Sequence, residues 1–167
     1  YNKTMFTEGG YELPTTWDEM FTLGDKAKAD GISLWSYPTA GYLDAMIPPM
    51  IAAAGGTKAF DDAMNYAEGF WGSEPATKTL ETIGKLKDYI EPTVVANANG
   101  QGFKNNQQLI LDNKVLFIPN GNWLPGEMAD APRAEGFEWG FMPYPSFEKG
   151  GDQYSISFIE QMYIPKE

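Results

Sequence analysis

The chain has 167 residues, no cysteine, no histidine and a formal net charge of -11 at pH 7. Without Cys and His it cannot form a Ser-His-Asp triad, a Cys-His pair, a disulfide or an ordinary zinc site. The acidity argues against nucleic acid and anionic membrane as partners, because both require clustered Lys and Arg. The length fits a single domain.

The first half of the chain predicts helices around one short strand. Thr16 and Glu19 form a capping-box pattern after Pro14, which predicts a helix that ends at Gly31. A strand is predicted at 32–37. Three further helices are predicted: one at 42–54, kinked or shortened by Pro48-Pro49 and closed by Gly55-Gly56; one at 59–66; and one from Ser73 with Leu80, Ile83, Leu86 and Ile90 on one face.

The second half is organised around an apolar run. Residues 115–118 predict a strand buried on both faces, and Pro119 ends it because proline lacks an N–H donor. Gly121 permits a sharp turn and Asn122 is placed to cap a short helix at 122–131 that begins with Trp123. The pattern around this run predicts a loop at 96–102, a helix at 103–111, a strand at 137–144 and one bent strand or a strand pair at 156–164.

These elements predict an α/β class in which helices outnumber strands and the sheet is small. No apolar run approaches the roughly 18 residues of a membrane-spanning helix, so we expect no membrane insertion of this segment. Both ends of the chain look like the interior of an element. We therefore expect a segment excised from a longer protein.

Acidic pairs are the remaining candidates for catalysis. A glycosidase needs two carboxyl groups about 5 to 10 Å apart, a separation that sequence alone does not give. In a chain this acidic such pairs are usually solvated surface, so we predict no catalytic residue, no metal ligand and no cofactor, and a glycosidase fragment stays an alternative. The pairs are Asp61-Asp62, Glu127 with Asp130, and Glu135 with Glu138.

Aromatic residues lie beside predicted turns in three places. Aromatic faces suit the C–H face of a pyranose ring, while amide, hydroxyl and carboxylate groups bind its hydroxyls. Trp123 is therefore predicted at the lip of a sugar cleft, with packing in the core as the alternative, whereas Trp17 and Trp139 are predicted to be core or partly buried. The clusters are Trp35, Tyr37 and Tyr42; Phe70 and Trp71; and Trp123.

The order and spacing of these motifs resemble family 1 of the extracellular solute-binding proteins, the maltose-binding-protein-like receptors of carbohydrate ABC transporters. The stretch Pro14-Thr15-Thr16-Trp17-Asp18-Glu19 is the most recognisable match, and Asn113-Lys114-Val115-Leu116 is a departure, since the family often has Gly-Lys-Ala-Met there. The other matching stretches are Tyr1-Asn2-Lys3 with Phe6 and Gly9-Gly10, 43–56, 103–117, Gly121-Asn122-Trp123 and 141–145.

The resemblance implies one helix-rich lobe of a periplasmic-binding-protein-like (type II) fold with a small mixed sheet. Residues 1–167 would form a single domain, most of the C-terminal lobe of a two-lobe protein. The parent would work outside the membrane, extracellular or periplasmic and lipid-anchored through its missing N-terminus, and deliver sugar to ABC permease subunits. It would not be an enzyme.

The resemblance also implies which residues bind the sugar. Trp123 would stack on it, with Gly121 and Asn122 bringing backbone and amide groups to its hydroxyls. The stretch 52–61 resembles receptors for N-acetylglucosamine and diacetylchitobiose, which makes these the expected ligands. A non-transport carbohydrate-binding module is a further alternative. The full set of expected ligand-binding residues is Trp123, Asn122, Gly121, Trp35, Tyr37, Tyr42 and Tyr154.

Overall fold

A computed structural model describes residues 1–157, 159 and 161–166. In these residues the chain is helix-rich around a small parallel sheet, which confirms the predicted α/β class. None of the helices there is long and apolar enough to cross a membrane. The elements are α1 Lys3–Gly9, α2 Trp17–Ala29, β1 Ser33–Trp35, α3 Ala40–Asp44, α4 Ile47–Met64, α5 Glu74–Leu86, α6 Val94–Asn97, α7 Phe103–Leu111, β2 Val115–Phe117 and α8 Leu124–Glu127, with 3-10 turns at Phe70–Gly72, Lys87–Tyr89 and Gly100–Gly102.

The sheet consists of β1 and β2, which pair in parallel with Trp35 opposite Phe117. Single bridges extend it on both sides. Ile90 pairs with Trp35 at one edge, and the Asn2 backbone N–H donates to Leu116 O at 3.0 Å at the other. The predicted strand at 115–118 is confirmed, and β2 is buried at every position.

Helix α2 begins where the capping pattern predicts. The Thr16 hydroxyl accepts from the Glu19 backbone N–H at 3.2 Å, and Glu19 Oε2 accepts from the Thr16 N–H at 3.2 Å. Each side chain satisfies an N–H group that the first helical turn leaves without a partner. Hydrogen bonds from Thr15 and Thr16 hold the pKa of Glu19 below its usual value.

The predicted helix at 42–54 is wrong in its bounds. The chain forms α3 first and then α4, with Pro48 and Pro49 in the first turn of α4, where a missing N–H costs nothing. The kink lies instead at Gly56, whose φ of 72° is not helical. It falls between the predicted helices at 42–54 and 59–66, which α4 joins.

Several predictions in the second half are also wrong. The predicted loop at 96–102 carries the end of α6 and a 3-10 turn, and 137–144 carries isolated bridges instead of a strand. Helix α8 begins at Leu124, with Trp123 at its N-cap and Pro125 in its first turn, so Asn122 does not cap it. The described residues of 156–164 form no strand; Phe158 and Glu160 lie outside the described residues.

In the first half, the predicted apolar face of α5 is also wrong in part. Leu80 is 46% exposed, and the buried residues of this helix are Ala76, Thr79 and Leu86.

Three apolar clusters form the core. The first packs α1 and α2 against one face of the sheet, and the second packs α6, α7 and α8 against β2. The third lies between α4 and α5 and is built largely of small residues: Ile51, Ala59, Ala63, Phe70 and Ala76.

Candidate functional site

The carboxyl ends of the two parallel strands carry an aromatic pair. Trp35 and Phe117 stack with ring centroids 5.3 Å apart and an interplanar angle of 26°. Both side chains are buried, at 5% and 3% exposure. In open α/β sheets, ligands bind just beyond the carboxyl ends of the strands, so this edge is where the fold favours a site.

A cavity of about 340 Å³ opens at this edge. Its volume lies within the range of about 300 to 1,000 Å³ for small-molecule sites. No Asp, Glu, Lys or Arg lines it within the described residues. The walls combine the strand ends with the stretches after them: Trp35 and Phe117, 118–122, Leu124 and Pro125, 139–145, and Ser155 and Ile156, together with Tyr1 and Met20.

Buried donors without partners are concentrated on this lining. The indole Nε1 atoms of Trp35 and Trp139 and the amide Nδ2 of Asn120 are buried and make no hydrogen bond to any described residue. The Asn120 amide is oriented, because its Oδ1 accepts from the Gly121 backbone N–H at 2.8 Å. A buried donor is costly unless an acceptor reaches it, so this lining is suited to a ligand that presents oxygen acceptors.

Trp123 lies next to the cavity but is not part of its lining. Its side chain is 45% exposed, which excludes the alternative of full burial in the core. A Cβ built on Gly121 would fall 2.0 Å from Cζ3 and 2.2 Å from Cε3 and Cη2 of the indole. The six-membered ring therefore lies against the Gly121 backbone, in contact that only glycine permits.

The cavity brings together three of the expected ligand-binding residues: Gly121, Asn122 and Trp35. Tyr37 is buried in the second core cluster, and Tyr42 packs against the same cluster. Tyr154 pairs with Tyr144 through a 2.9 Å backbone hydrogen bond, so its neighbours Ser155 and Ile156 line the cavity while its own ring does not. Trp17 is buried and Trp139 partly buried, as predicted.

Several lining residues carried no signal strong enough to select them from sequence. Phe117 joins the site through its register with Trp35, which requires the strand pairing to be known. Trp139 and Tyr144 lie on a segment held by single bridges, and Phe141, between them, is 73% exposed. Burial raises the pKa of the Tyr144 hydroxyl to about 12, so this side chain is neutral at physiological pH.

A buried polar residue holds the loop after β1. Asn106 on α7 is fully buried, and its Nδ2 donates to the backbone oxygens of Tyr37 and Val94, both at 2.9 Å. The Ser36 hydroxyl donates to Asn106 O at 2.7 Å. These bonds fix the loop that follows Trp35, and no sequence motif pointed to them.

The candidate carboxylate pairs do not converge on the cavity. Asp62 pairs with Lys58 at 2.6 Å, and Glu138 pairs with Lys3 at 2.7 Å. The Lys3 ammonium, through its hydrogen bond and its charge, holds the pKa of Glu138 below its usual value. Among the described residues there is no group of three or more acidic side chains placed to hold a metal ion.

Comparisons with known proteins find similar sequences and folds among sugar-binding proteins. A relative from Streptomyces coelicolor, the diacetylchitobiose binding protein NgcE, is 32% identical over 142 residues, covering 81% of this chain and 29% of its own length. Two solved structures share the fold at a TM-score of 0.66, each covering 87% of this chain and 36% of the other. They are the bacterial solute receptor AcbH, which has an exclusive preference for β-D-galactopyranose (19% identity), and a chitin oligosaccharide binding protein (18% identity).

This chain therefore spans about a third of the length of these similar proteins. The family model for bacterial extracellular solute-binding proteins matches residues 1–167. The expected resemblance is confirmed, and the chain belongs to the bacterial extracellular solute-binding protein family.

Proposed function

We propose that residues 1–167 are a single domain that forms most of the C-terminal lobe of a two-lobe protein, which binds a neutral carbohydrate for an ABC importer. The observation that carries the proposal is the uncharged aromatic cavity at the carboxyl ends of β1 and β2. Family membership and the shared fold support it. The parts of the cleft that a second lobe would supply are outside this chain.

The cavity chemistry favours a neutral sugar over charged ligands. A phosphorylated or uronic sugar needs Lys or Arg, and an amine needs a carboxylate. No described side chain in the lining carries a charge. The aromatic walls match the C–H face of a pyranose ring. The buried, unpaired donors of Trp35, Trp139 and Asn120, all lining residues, would match its oxygen atoms.

An N-acetylated sugar fits best, and we propose N-acetylglucosamine or diacetylchitobiose. An acetamido carbonyl is a stronger acceptor than a hydroxyl, and its methyl group suits an apolar wall. The cavity offers both features, because unpaired donors lie among apolar residues such as Met142 and Ile156. The Streptomyces relative named for diacetylchitobiose supports the same choice.

We assign Trp123 as the stacking platform at the rim. One face of its indole is supported by Gly121, and the side chain is 45% exposed. Asn122 and Gly121 would then contact hydroxyls from the cavity wall. Tyr42 and Tyr154, both partly exposed, would contact parts of the ligand outside the cavity, and buried Tyr37 would support the loop beneath it.

The mechanism we propose is differential binding without catalysis. Sugar would favour the closed arrangement of two lobes, and the closed form would dock on the permease. The parent protein would act in the periplasm or outside the cell and be anchored by lipid. One lobe retains part of the contacts, and because each 1.4 kcal/mol is tenfold, loss of about 4 kcal/mol would turn a micromolar receptor into a millimolar half-site.

Saturation-transfer NMR detects such weak binding. The panel contains N-acetylglucosamine, diacetylchitobiose, maltose and xylobiose, with glucosamine and glucose 6-phosphate as charged controls. We expect transfer to N-acetylated sugars and none to the charged controls. Absence of transfer to every sugar, for this chain and for the full-length parent, would refute the proposed function.

A further inference from the structure

A second buried amide on α7, next to Asn106, contacts helix α8. Gln107 is 1% exposed, and its Nε2 donates to Glu127 Oε2 at 3.0 Å. Glu127 is the last residue of α8, the short helix that follows the turn at Gly121 and Trp123. The two contacting side chains are 20 residues apart in the chain, so the bond ties α8 to α7.

The position of α8 decides the shape of the rim. Leu124 and Pro125 at its start line the cavity, and Trp123 occupies its N-cap. Helix α8 has four residues, which is too short to be stable by itself. Its orientation must come from contacts with the rest of the molecule.

Two kinds of contact hold α8 besides the Gln107 bond. Leu124 and Met128 are buried in the second core cluster, and Arg133 donates to the carbonyl oxygens of Met128 and Ala129, both at 2.7 Å. Apolar burial holds a helix close without fixing its rotation, because it is non-directional. A hydrogen bond to a carboxylate is directional and stronger than a neutral one.

The amide oxygen of Gln107 is buried and has no hydrogen-bond partner among the described residues. A Gln at a 1% exposed position with one satisfied amide atom is costly compared with an apolar residue of similar size. The bond to Glu127 is the hydrogen bond that stabilises a polar side chain at this buried position.

We propose that Gln107 and Glu127 are positioning residues that hold α8, and with it the turn at Gly121 and Trp123, in the orientation that binds sugar. This inference rests on the proposed function of the cavity. The pair does not contact the ligand. It sets the direction of the rim on which the ligand would stack.

The test uses Glu127→Ala, which removes the acceptor and leaves the buried Gln107 amide unpaired, so the chain should still fold but with a lower unfolding midpoint. We expect the affinity for diacetylchitobiose to fall about tenfold, as for the loss of one hydrogen bond to a charged group. We also expect the exchange rate of the Met128 amide, which donates to Leu124 O at the end of α8, to rise more than the exchange rates of amides in α2.

Rescue separates this role from simple packing. Glu127→Gln keeps an oxygen acceptor for the Gln107 amide without placing a charge at a buried position, so it should retain most of the affinity that Glu127→Ala loses. Asp130→Ala, which removes an exposed carboxylate shortly after α8, is the matched control and should change neither readout.

The outcomes are distinguishable. If the unaltered chain and its full-length parent bind no sugar, the proposed function fails and this inference fails with it. If the unaltered chain binds diacetylchitobiose and Glu127→Ala binds equally well, the positioning role alone is overturned. A Glu127→Gln variant that binds no better than Glu127→Ala also overturns it.

Discussion

Two concave regions of similar size lie on the described part of this chain, and they differ in which residues line them. The cavity at the sheet edge has about 340 Å³, and a depression between α4 and α5 has about 370 Å³. The first is uncharged and aromatic with buried unpaired donors, whereas the second is lined by Lys58, Asp62 and Glu68, of which the first two pair with each other. Their volumes are too similar to identify either region as the binding site. The chemistry of the lining favours the sheet edge as a sugar site.

The largest expected effect comes from the aromatic pair of the sheet edge. Trp35→Ala removes a buried ring stacked on Phe117 and should lower the free energy of unfolding by about 3 to 5 kcal/mol, as for other buried aromatic truncations. Trp71→Ala, beside the second depression and 53% exposed, should cost about 1 kcal/mol or less. Urea unfolding of both variants measures the difference. Equal losses would mean that the two regions do not differ in packing as described.

Gly121→Ala should weaken sugar binding about tenfold, the value of a lost aromatic stacking contact of roughly 1.4 kcal/mol. The added methyl would collide with the indole of Trp123 and move it from its place on the backbone. Gly126→Ala is the matched control, because a Cβ there meets no atom within 4 Å. Titration calorimetry or saturation transfer compares the two. Unchanged affinity in Gly121→Ala would argue against the Trp123 platform.

High pH should destabilise the fold through buried tyrosines. Burial raises the pKa of Tyr144 from 10.0 to about 12, and burial with a hydrogen bond to Asp30 raises the pKa of Tyr11 to about 12. Between pH 10 and 12 the folded state holds protons that the unfolded chain has lost, so stability falls as pH rises through this window. Tyr144→Phe should make the decline shallower in urea unfolding at pH 9 and pH 11. An equally steep decline in that variant would contradict the assignment.

The smallest effect is expected at the second depression. Lys58→Met removes an exposed i,i+4 ion pair with Asp62 and should change the free energy of unfolding by about 0.5 kcal/mol or less. It should leave sugar affinity unchanged. A large loss of binding in this variant would move the candidate site to the depression between α4 and α5.

Local chemistry explains which parts of the fold could be predicted from the sequence. The capping box of α2 and the buried run of β2 depend on neighbouring residues, and both are confirmed. The prediction of a strand at 137–144 is wrong. This segment pairs only through single bridges, to Asn2 and to Tyr154, and these two partners are far apart in the chain. Long-range pairing of this kind leaves no local pattern.

Some residues of the candidate site could be predicted from local sequence and others could not. Gly121 and Asn122 follow a recognisable strand end, so their place in the cavity could be predicted. Asn106 and Gln107 could not be selected, because amide residues on a helix are usually exposed and the partners of these two lie on other elements, which only the fold brings near. The helix after Gly121 begins one residue later than predicted, at Leu124 instead of Trp123, with Pro125 in its first turn, and it ends at Glu127.

The most direct measurement is titration of the nitrogen-15-labelled chain with diacetylchitobiose, following the indole N–H signals of its tryptophans. We expect the indole signals of Trp35 and Trp139 to shift as sugar accepts hydrogen bonds from them, because both are buried donors on the cavity lining without partners among the described residues. The signal of Trp71 should stay in place. Shifts confined to Trp71 and to backbone amides around Lys58 and Gly69, with Trp35 and Trp139 unchanged, would contradict the assignment of the sugar site to the sheet edge.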